Sequence, residues 1–330
     1  MVRVAINGFG RIGRVFYRAA YGDEDIEIVA INDVKLDPKS AAYLLKYDSV
    51  YGRFPTEVSF NKQALCVDEA KHLLLKEPDP TNLPWEQLKV DVVVESSGVF
   101  TQAEKAALHL QAGARKVLIT APAKGEVPTI VWGVNEHVYN KNQHNVVSAA
   151  SCTTNCLAPV AYILHKEFGI EKGLMTTAHA YTMSQNLVDG ANKEMIEGRA
   201  AAINIVPTST GAAVAVTKVL PELEGRLHGI ALRVPTSTGS VTDLVALLKT
   251  TVTVEKINEA FKRYANGPMK QILSVSEWPL VSSDCIGDSH SAIVDLSSTY
   301  VIQGNLVKVI AFYDNEFGYA HRLVDLVKYL

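Results

Sequence analysis

Residues 2–14 read Val-Arg-Val-Ala-Ile-Asn-Gly-Phe-Gly-Arg-Ile-Gly-Arg, and this stretch decides the fold. The apolar, β-branched run over 2–6 predicts a buried strand, and the composition of 11–21 predicts a helix. Between them Gly8-Phe9-Gly10-Arg11-Ile12-Gly13 places a G-x-G-x-x-G at the strand-to-helix turn, the context in which that pattern binds a dinucleotide. Gly8 permits the tight turn, Gly10 lets the main chain approach a pyrophosphate, and Gly13 lets helix pack closely on strand. The first N–H groups of the helix then meet the phosphate charge. A second strand over 26–32 delivers Asp33, 20 residues beyond Gly13, where a carboxylate reaches the adenosine ribose. Such a carboxylate accepts from a 2′-hydroxyl and repels a 2′-phosphate, which favours NAD over NADP; Lys35 works against that preference.

Further apolar runs over 90–96, 116–120, 129–134 and 145–150 read as strands, several buried on both faces, and 104–111 reads as a helix. Strands alternating with helices predict a Rossmann-type, doubly wound α/β domain over 1–150. Beyond residue 150 the texture changes. Leu157, Ala161, Leu164 and Phe168 mark one face of a helix, and long strand-like runs follow at 173–181, 226–236, 240–249, 291–298 and 306–314. These predict an α+β domain with a mostly antiparallel sheet over 151–315, ahead of a closing helical stretch over 320–330. The repeated Pro-Thr-Ser-Thr-Gly at 207–211 and 235–239 is too short to define a repeat architecture.

Composition narrows the function. With 330 residues, 32 Lys and Arg, and 35 Asp and Glu, the net charge of −3 excludes a strongly basic nucleic-acid binder. The uncharged stretch 145–164 is interrupted by Asn145, Ser148, Ser151, Thr153, Thr154, Asn155 and Pro159, so no membrane span is expected. The opening Met-Val-Arg-Val-Ala carries no signal-peptide pattern, which points to the cytoplasm. Four cysteines, at 66, 152, 156 and 285, form neither a disulfide framework nor a zinc-type spacing, so free thiols and no metal are expected.

One of those thiols is placed for chemistry. Cys152 falls in the first turn of a helix capped by Ser151, where the dipole and unpaired N–H groups favour a thiolate and an oxyanion beside it. Cys156, one turn on, reads as a small core residue. Of nine histidines, His179 lies on a predicted strand between Ala178 and Ala180, whereas His72, His137 and His144 fall in polar segments. Residue spacing alone does not pair His179 with Cys152.

The segments INGFGRIGR (6–14), LLKYDSVYGRF (44–54), ITAPAKGE (119–126), SCTTNCLAP (151–159), TTAHAYT (176–182), RAAAINIVPTSTGAA (199–213), LRVPT (232–236), VSSD (281–284) and YDNEFGYAHR (313–322) carry a resemblance. In order and spacing the chain resembles the phosphorylating glyceraldehyde-3-phosphate dehydrogenases over essentially its whole length. The resemblance implies that Cys152 attacks the aldehyde, His179 acts as base, NAD takes the hydride, and inorganic phosphate releases an acyl phosphate from a thioester. It implies cofactor contacts from Arg11, Ile12, Asp33, Thr120 and Asn315. Substrate and phosphate contacts are implied at Ser151, Thr153, Thr182, Thr210, Gly211 and Arg233. It further implies a homotetramer, a place in glycolysis or gluconeogenesis, and a last helix, 316–330, that returns to the first domain. A dehydrogenase of another phosphorylated aldose, such as erythrose 4-phosphate, and a non-catalytic interaction protein on the same fold are the alternatives.

The chain also departs from the family pattern. Ser184 stands where many members carry Asp, and Met195-Ile196-Glu197-Gly198-Arg199 replaces a stretch with a basic pair. Losing cations and gaining Glu197 predicts a weakened inorganic-phosphate site. Pro78 replaces a frequent basic residue near the adenine, while Ala149, Phe312 and Phe317 read as packing changes.

Overall fold

The computed structural model describes residues 1–330 and contains two large sheets that set out the two halves, besides a two-stranded one of Tyr47–Asp48 and Gly52–Arg53. The chain divides into two compact units: residues 1–130, 136–150 and 320–330, and residues 131–135 and 151–319.

In the first unit an eight-stranded sheet runs in the order Val146–Ser148, Lys116–Ile119, Val92–Glu95, Val2–Asn7, Ile26–Asn32, Ala70–Leu75, Ala64–Val67, Val58–Phe60. The first six are parallel to their neighbours, and the last two add an antiparallel edge. Val4, Ala5, Ile6, Val92, Val93 and Val94 are buried, as β-branched strands covered on both faces must be. Register aligns Asn7 with Asn32 on one side and with Glu95 on the other, so three polar residues stand in a row at the carboxyl ends of adjacent strands. That edge is where open α/β sheets bind ligands. Residues 320–330 join this unit, with Lys328 Nζ donating to Asp23 Oδ2 at 2.8 Å and Tyr329 against Tyr139.

Several local expectations need revision. The run 129–134 is not a strand: Thr129 makes a single bridge, and the chain then turns. Asn135 Oδ1 accepts from Val131 N–H at 2.8 Å and Gly133 takes a φ of +82°, so the side chain closes the turn against a strand-like composition. The helix expected over 104–111 is two short ones, Ala103–Ala106 and Leu108–Gln111. The 58–75 meander was not visible as strands because its edge faces outward and its alternation is broken by polar turns.

The second unit holds a seven-stranded sheet in the order Val206–Ser209, Leu227–Val234, Ile170–Ala180, Ser240–Leu248, Leu306–Tyr313, Ala292–Ile302, Leu273–Ser276. Four of its six pairings are antiparallel. The helix Cys152–Phe168 buries Cys156, Leu157, Val160, Ile163 and Leu164, while Ser151 caps it by accepting from Thr154 N–H at 3.1 Å. A serine cap of this kind stabilises by about 1 kcal/mol. Gly169, at φ +70°, ends the helix in a conformation that side chains resist.

Candidate active site

The predicted dinucleotide turn is built as its glycines require. Gly8 adopts φ +96°, and a Cβ there would meet Ser97 N at 2.4 Å; one on Gly13 would meet Gly8 O at 2.1 Å. A Cβ on Gly10 would instead meet nothing within 4 Å, which is the open approach a pyrophosphate needs. The helix Arg11–Ala20 begins at Gly10 without a side-chain cap. Its leading N–H groups are therefore of the kind that bind phosphate oxygens. Asp33 stands beside them: Oδ2 accepts from Phe9 N–H and Oδ1 from Lys35 N–H, each at 2.8 Å. Ile12 follows in the first turn, half-buried, and Arg11 is bonded to Asp48. Thr120 donates through both N–H and Oγ1 to the carbonyl of Glu95, at 3.0 and 3.1 Å. An open glycine cradle, an uncapped helix start and a ribose-range carboxylate together fit NAD.

In the second unit Cys152 and His179 meet: Sγ lies 3.3 Å from Nε2. The strand's period of two buries Met175, Thr177 and His179 on one face, turned toward the helix that carries Cys152. Parallel pairing then sets Arg233 opposite His179, with Nη1 2.6 Å from Nδ1 and 3.4 Å from Ala180 O. His179 Nδ1 also lies 2.7 Å from Ala180 O. Nδ1 thus lies between an acceptor, Ala180 O, and a donor, Arg233 Nη1. With its proton donated to Ala180 O, the lone pair of Nε2 faces the thiol, the tautomer a base needs, and the Arg233 N–H turns to Ala180 O; accepting from Arg233 instead puts the proton on Nε2, facing Sγ.

Electrostatics divide the labour. Burial first, and the Arg233 cation second, hold the imidazole down to about 4, so it is neutral near pH 7. Burial pushes the Cys152 thiol up, while Arg233 and hydrogen bonds from Thr153 and the backbone N–H groups at 152 and 153 pull it back. Burial outweighs these contributions, so the thiol sits above its ordinary value, and the N–H groups at the helix start offset part of that rise rather than producing the favoured thiolate expected from the spacing. Cys156 is fully buried beside Thr242, at 3.4 Å, and burial pushes its thiol up, as suits a core residue.

The remaining predicted residues sort into groups. Thr153 is buried, and its hydroxyl bonds Tyr313 Oη at 2.9 Å, which in turn bonds Thr177 Oγ1 at 3.0 Å. Asn315 Oδ1 accepts from Gly239 N–H at 3.1 Å and from Ser240 Oγ at 2.9 Å, fixing the amide. Ser240 Oγ also accepts from Ala180 N–H at 3.1 Å, so Asn315 is registered to the histidine strand. Thr182 Oγ1 lies 3.1 Å from Ser184 Oγ, and its N–H donates to Gln185 Oε1 at 3.3 Å. Thr210 Oγ1 accepts from Ala212 N–H at 3.1 Å, and Gly211 opens the helix Ala212–Val219 without a side-chain cap. Glu197 accepts from Thr208 Oγ1 at 3.3 Å, which puts a carboxylate two residues from Thr210.

Tyr313, Ser240 and Gln185 were not singled out from sequence. Alternation along 240–248, which buries every second residue from Ser240, would have flagged a polar group pointing inward. Three buried donor groups here have no protein partner: Arg233 Nε, Gln185 Nε2 and Thr236 Oγ1. Donors left unpaired beside a cation suit an oxyanion ligand.

The family description "Glyceraldehyde 3-phosphate dehydrogenase, NAD binding domain" matches residues 2–103, and the corresponding C-terminal domain matches residues 151–315. The chain is 55% identical over 329 residues to the glyceraldehyde-3-phosphate dehydrogenase of Geobacillus stearothermophilus, covering 100% of this chain and 98% of that protein. It is 56% identical over 333 positions to the enzyme of that name from Mycobacterium avium, covering 99% and 97%. Against glyceraldehyde-3-phosphate dehydrogenase 2 of Bacillus subtilis it is 50% identical over 329 residues, covering 100% and 96%.

Proposed function

The chain belongs to the glyceraldehyde-3-phosphate dehydrogenase family, and from that premise we propose how its residues carry the reaction. It is an NAD-dependent oxidoreductase that converts glyceraldehyde 3-phosphate and inorganic phosphate to 1,3-bisphosphoglycerate. The observation that carries the assignment of roles is the 3.3 Å approach of Cys152 Sγ to His179 Nε2 at a helix start.

Cys152 adds through sulfur to the aldehyde carbon as Nε2 of His179 takes the thiol proton. That proton passes to the new oxygen and forms a hemithioacetal; Nε2 removes it again as the carbon gives up its hydride. NAD, when bound, supplies the hydride acceptor. What remains on Cys152 is a thioester, which phosphate attacks while the sulfur leaves. The backbone N–H groups at 152 and 153 stabilise the sulfur anion and the oxyanion at the attacked carbon.

Gly8, Gly10, Arg11, Ile12, Gly13, Asp33 and Thr120 are assigned to the adenosine and pyrophosphate portion of NAD, and Asn315 to the nicotinamide amide. Arg233 and Thr182 are assigned to the triose phosphate group. Ser151, Thr153, Thr210 and Gly211 are assigned to the two anion positions, with Glu197 weakening the inorganic one. The last of these assignments is modest in charge but specific in place.

A homotetramer is our reading of the assembly. A groove of about 1040 Å³ lined by Leu174, Val214, Leu227, Val245 and Leu306 supports it, as do exposed Ile203, Ile205 and Ile230. No helix is long and apolar enough to cross a membrane. We assign the protein to the cytoplasm, on the strength of four cysteines kept as free thiols.

The test is the initial rate of NAD reduction with glyceraldehyde 3-phosphate, titrating phosphate and repeating with erythrose 4-phosphate and with NADP. A phosphate-dependent rate with the triose and NAD is expected. Turnover confined to erythrose 4-phosphate would replace the substrate, and no turnover with either would replace the enzyme reading.

A further inference from the structure

The carboxyl edge of the first sheet carries a buried chain of side-chain hydrogen bonds to which nothing above gives a role. Trp85 Nε1 donates to His109 Nδ1 at 3.0 Å, and His109 Nε2 lies 3.0 Å from Glu95 Oε2. Asn7 Nδ2 donates to the same oxygen at 2.5 Å, and Asn32 Nδ2 donates to Asn7 Oδ1 at 2.7 Å. Glu95 Oε1 accepts from the N–H and the hydroxyl of Ser97. All of these but Ser97 are buried; His109 and Trp85 show 0% exposure and Glu95 2%.

The sense of every bond is forced. An indole N–H only donates, so His109 Nδ1 accepts and its proton sits on Nε2, pointing at Glu95. Glu95 therefore faces four donors and offers none, and the amide of Asn7 is fixed with nitrogen toward Glu95 and oxygen toward Asn32. The row then reaches the cofactor turn from three sides. Ser97 lies against Gly8, where a Cβ would meet Ser97 N at 2.4 Å, and Ser96 Oγ donates to Gly8 O at 2.7 Å. Gly8 N–H donates to Asn32 O at 2.8 Å, directly before Asp33. Thr120 hangs on the Glu95 carbonyl.

We propose that Glu95, oriented by His109 and Trp85, is a positioning residue that holds Gly8, the Asp33 end of its strand and Thr120 in NAD-binding geometry. This inference rests on the NAD site assigned above and adds residues that need not touch the cofactor. A buried network with one consistent direction is rigid, and one reversed member leaves a donor facing a donor.

Glu95→Gln keeps the shape and reverses one acceptor, so a nitrogen must face Ser97 N–H or the Asn7 and His109 donors. His109→Phe removes both bonds, whereas His109→Gln carries one acceptor and one donor. Calorimetric titration of the whole protein with NAD is the test, run beside KM for the triose and the rate of Cys152 alkylation without cofactor. Expected is a loss of NAD affinity of about ten-fold or more in Glu95→Gln and His109→Phe. His109→Gln should come back to within about three-fold of the parent, with triose KM and alkylation changed less than about two-fold throughout. A folded Glu95→Gln that binds NAD like the parent overturns the proposal, as does His109→Gln performing no better than His109→Phe. Where the buried variants do not fold, Ser97→Ala, at an exposed position, is expected to weaken NAD by a few-fold; unchanged affinity there overturns the proposal equally. A parent protein that fails to bind NAD would instead remove the NAD assignment itself.

Discussion

The carboxyl edge of the first sheet and the segment 181–211 with Arg233 manage their polar groups in opposite ways. At the sheet edge, Asn7, Asn32, Glu95 and His109 are buried and spend their hydrogen bonds on one another. In the second region Gln185 Nε2 and Arg233 Nε are buried without a protein partner, as is Thr236 Oγ1 just beyond Arg233, and Met183, Leu187, Val188, Met195, Ile203 and Ile205 are exposed. One region is complete before any ligand arrives, as suits a cradle for a cofactor used in every turnover. The other keeps unpaired donors and apolar surface, which fits the anion positions and the assembly proposed above. Changes at the sheet edge should therefore alter NAD affinity and spare the chemistry, and changes around Cys152 and Arg233 should do the reverse.

The sharpest break is Cys152→Ser, which should lower kcat by at least about 10³-fold while calorimetry finds NAD affinity unchanged. His179→Asn comes next, with a loss of about 10²–10⁴-fold in kcat, measured at saturating substrate. The same variant has a stability signature. Folded His179 sits at about 4 against an ordinary 6.5, so between those values the unfolded chain binds a proton the native chain does not. Stability therefore falls as pH drops through that window, and thermal melts of His179→Asn should fall less steeply there.

Asp33→Asn should raise the NAD KM by about ten-fold and narrow the preference over NADP, leaving thiol alkylation alone; an intact preference would contradict the ribose assignment. Arg233→Met should shift the pH midpoint of Cys152 alkylation upward by about one unit, because that cation pulls the thiol down. Its triose KM should rise with no change in NAD affinity. Smallest is Ile196→Arg, which should lower the phosphate KM by about five-fold, a term near 1 kcal/mol. A phosphate KM that does not move would clear Glu197 and its neighbours of any part in the inorganic-phosphate site.

Legibility followed locality. The Gly8–Gly13 turn and Asp33 could be read directly because each requirement is imposed by residues within one β-α-β unit. Ser151 as a cap and Cys152 in a first turn were local for the same reason. His179 against Cys152 was not, since packing of the helix Cys152–Phe168 on the sheet brings them together across 27 positions. Resemblance named the pair; the buried face of Met175, Thr177 and His179, turned toward the helix Cys152–Phe168, explains it, and parallel register adds Arg233. Glu95 escaped notice because VVVES reads as an ordinary buried strand, and only the partners Asn7, Ser97 and His109 turn its last residue into a hub. The strand expected over 129–134 failed for a local reason: the Asn135 side chain claims the Val131 N–H.

The most direct test of the thioester route mixes the protein with NAD and glyceraldehyde 3-phosphate, first without phosphate and then with it, following NADH and the mass of the Cys152 peptide. The account predicts a burst of about one NADH per chain, an acyl adduct on Cys152 that persists, and renewed turnover with loss of the adduct when phosphate is added. Steady NADH formation without phosphate, or a burst with Cys152 unmodified, would contradict it.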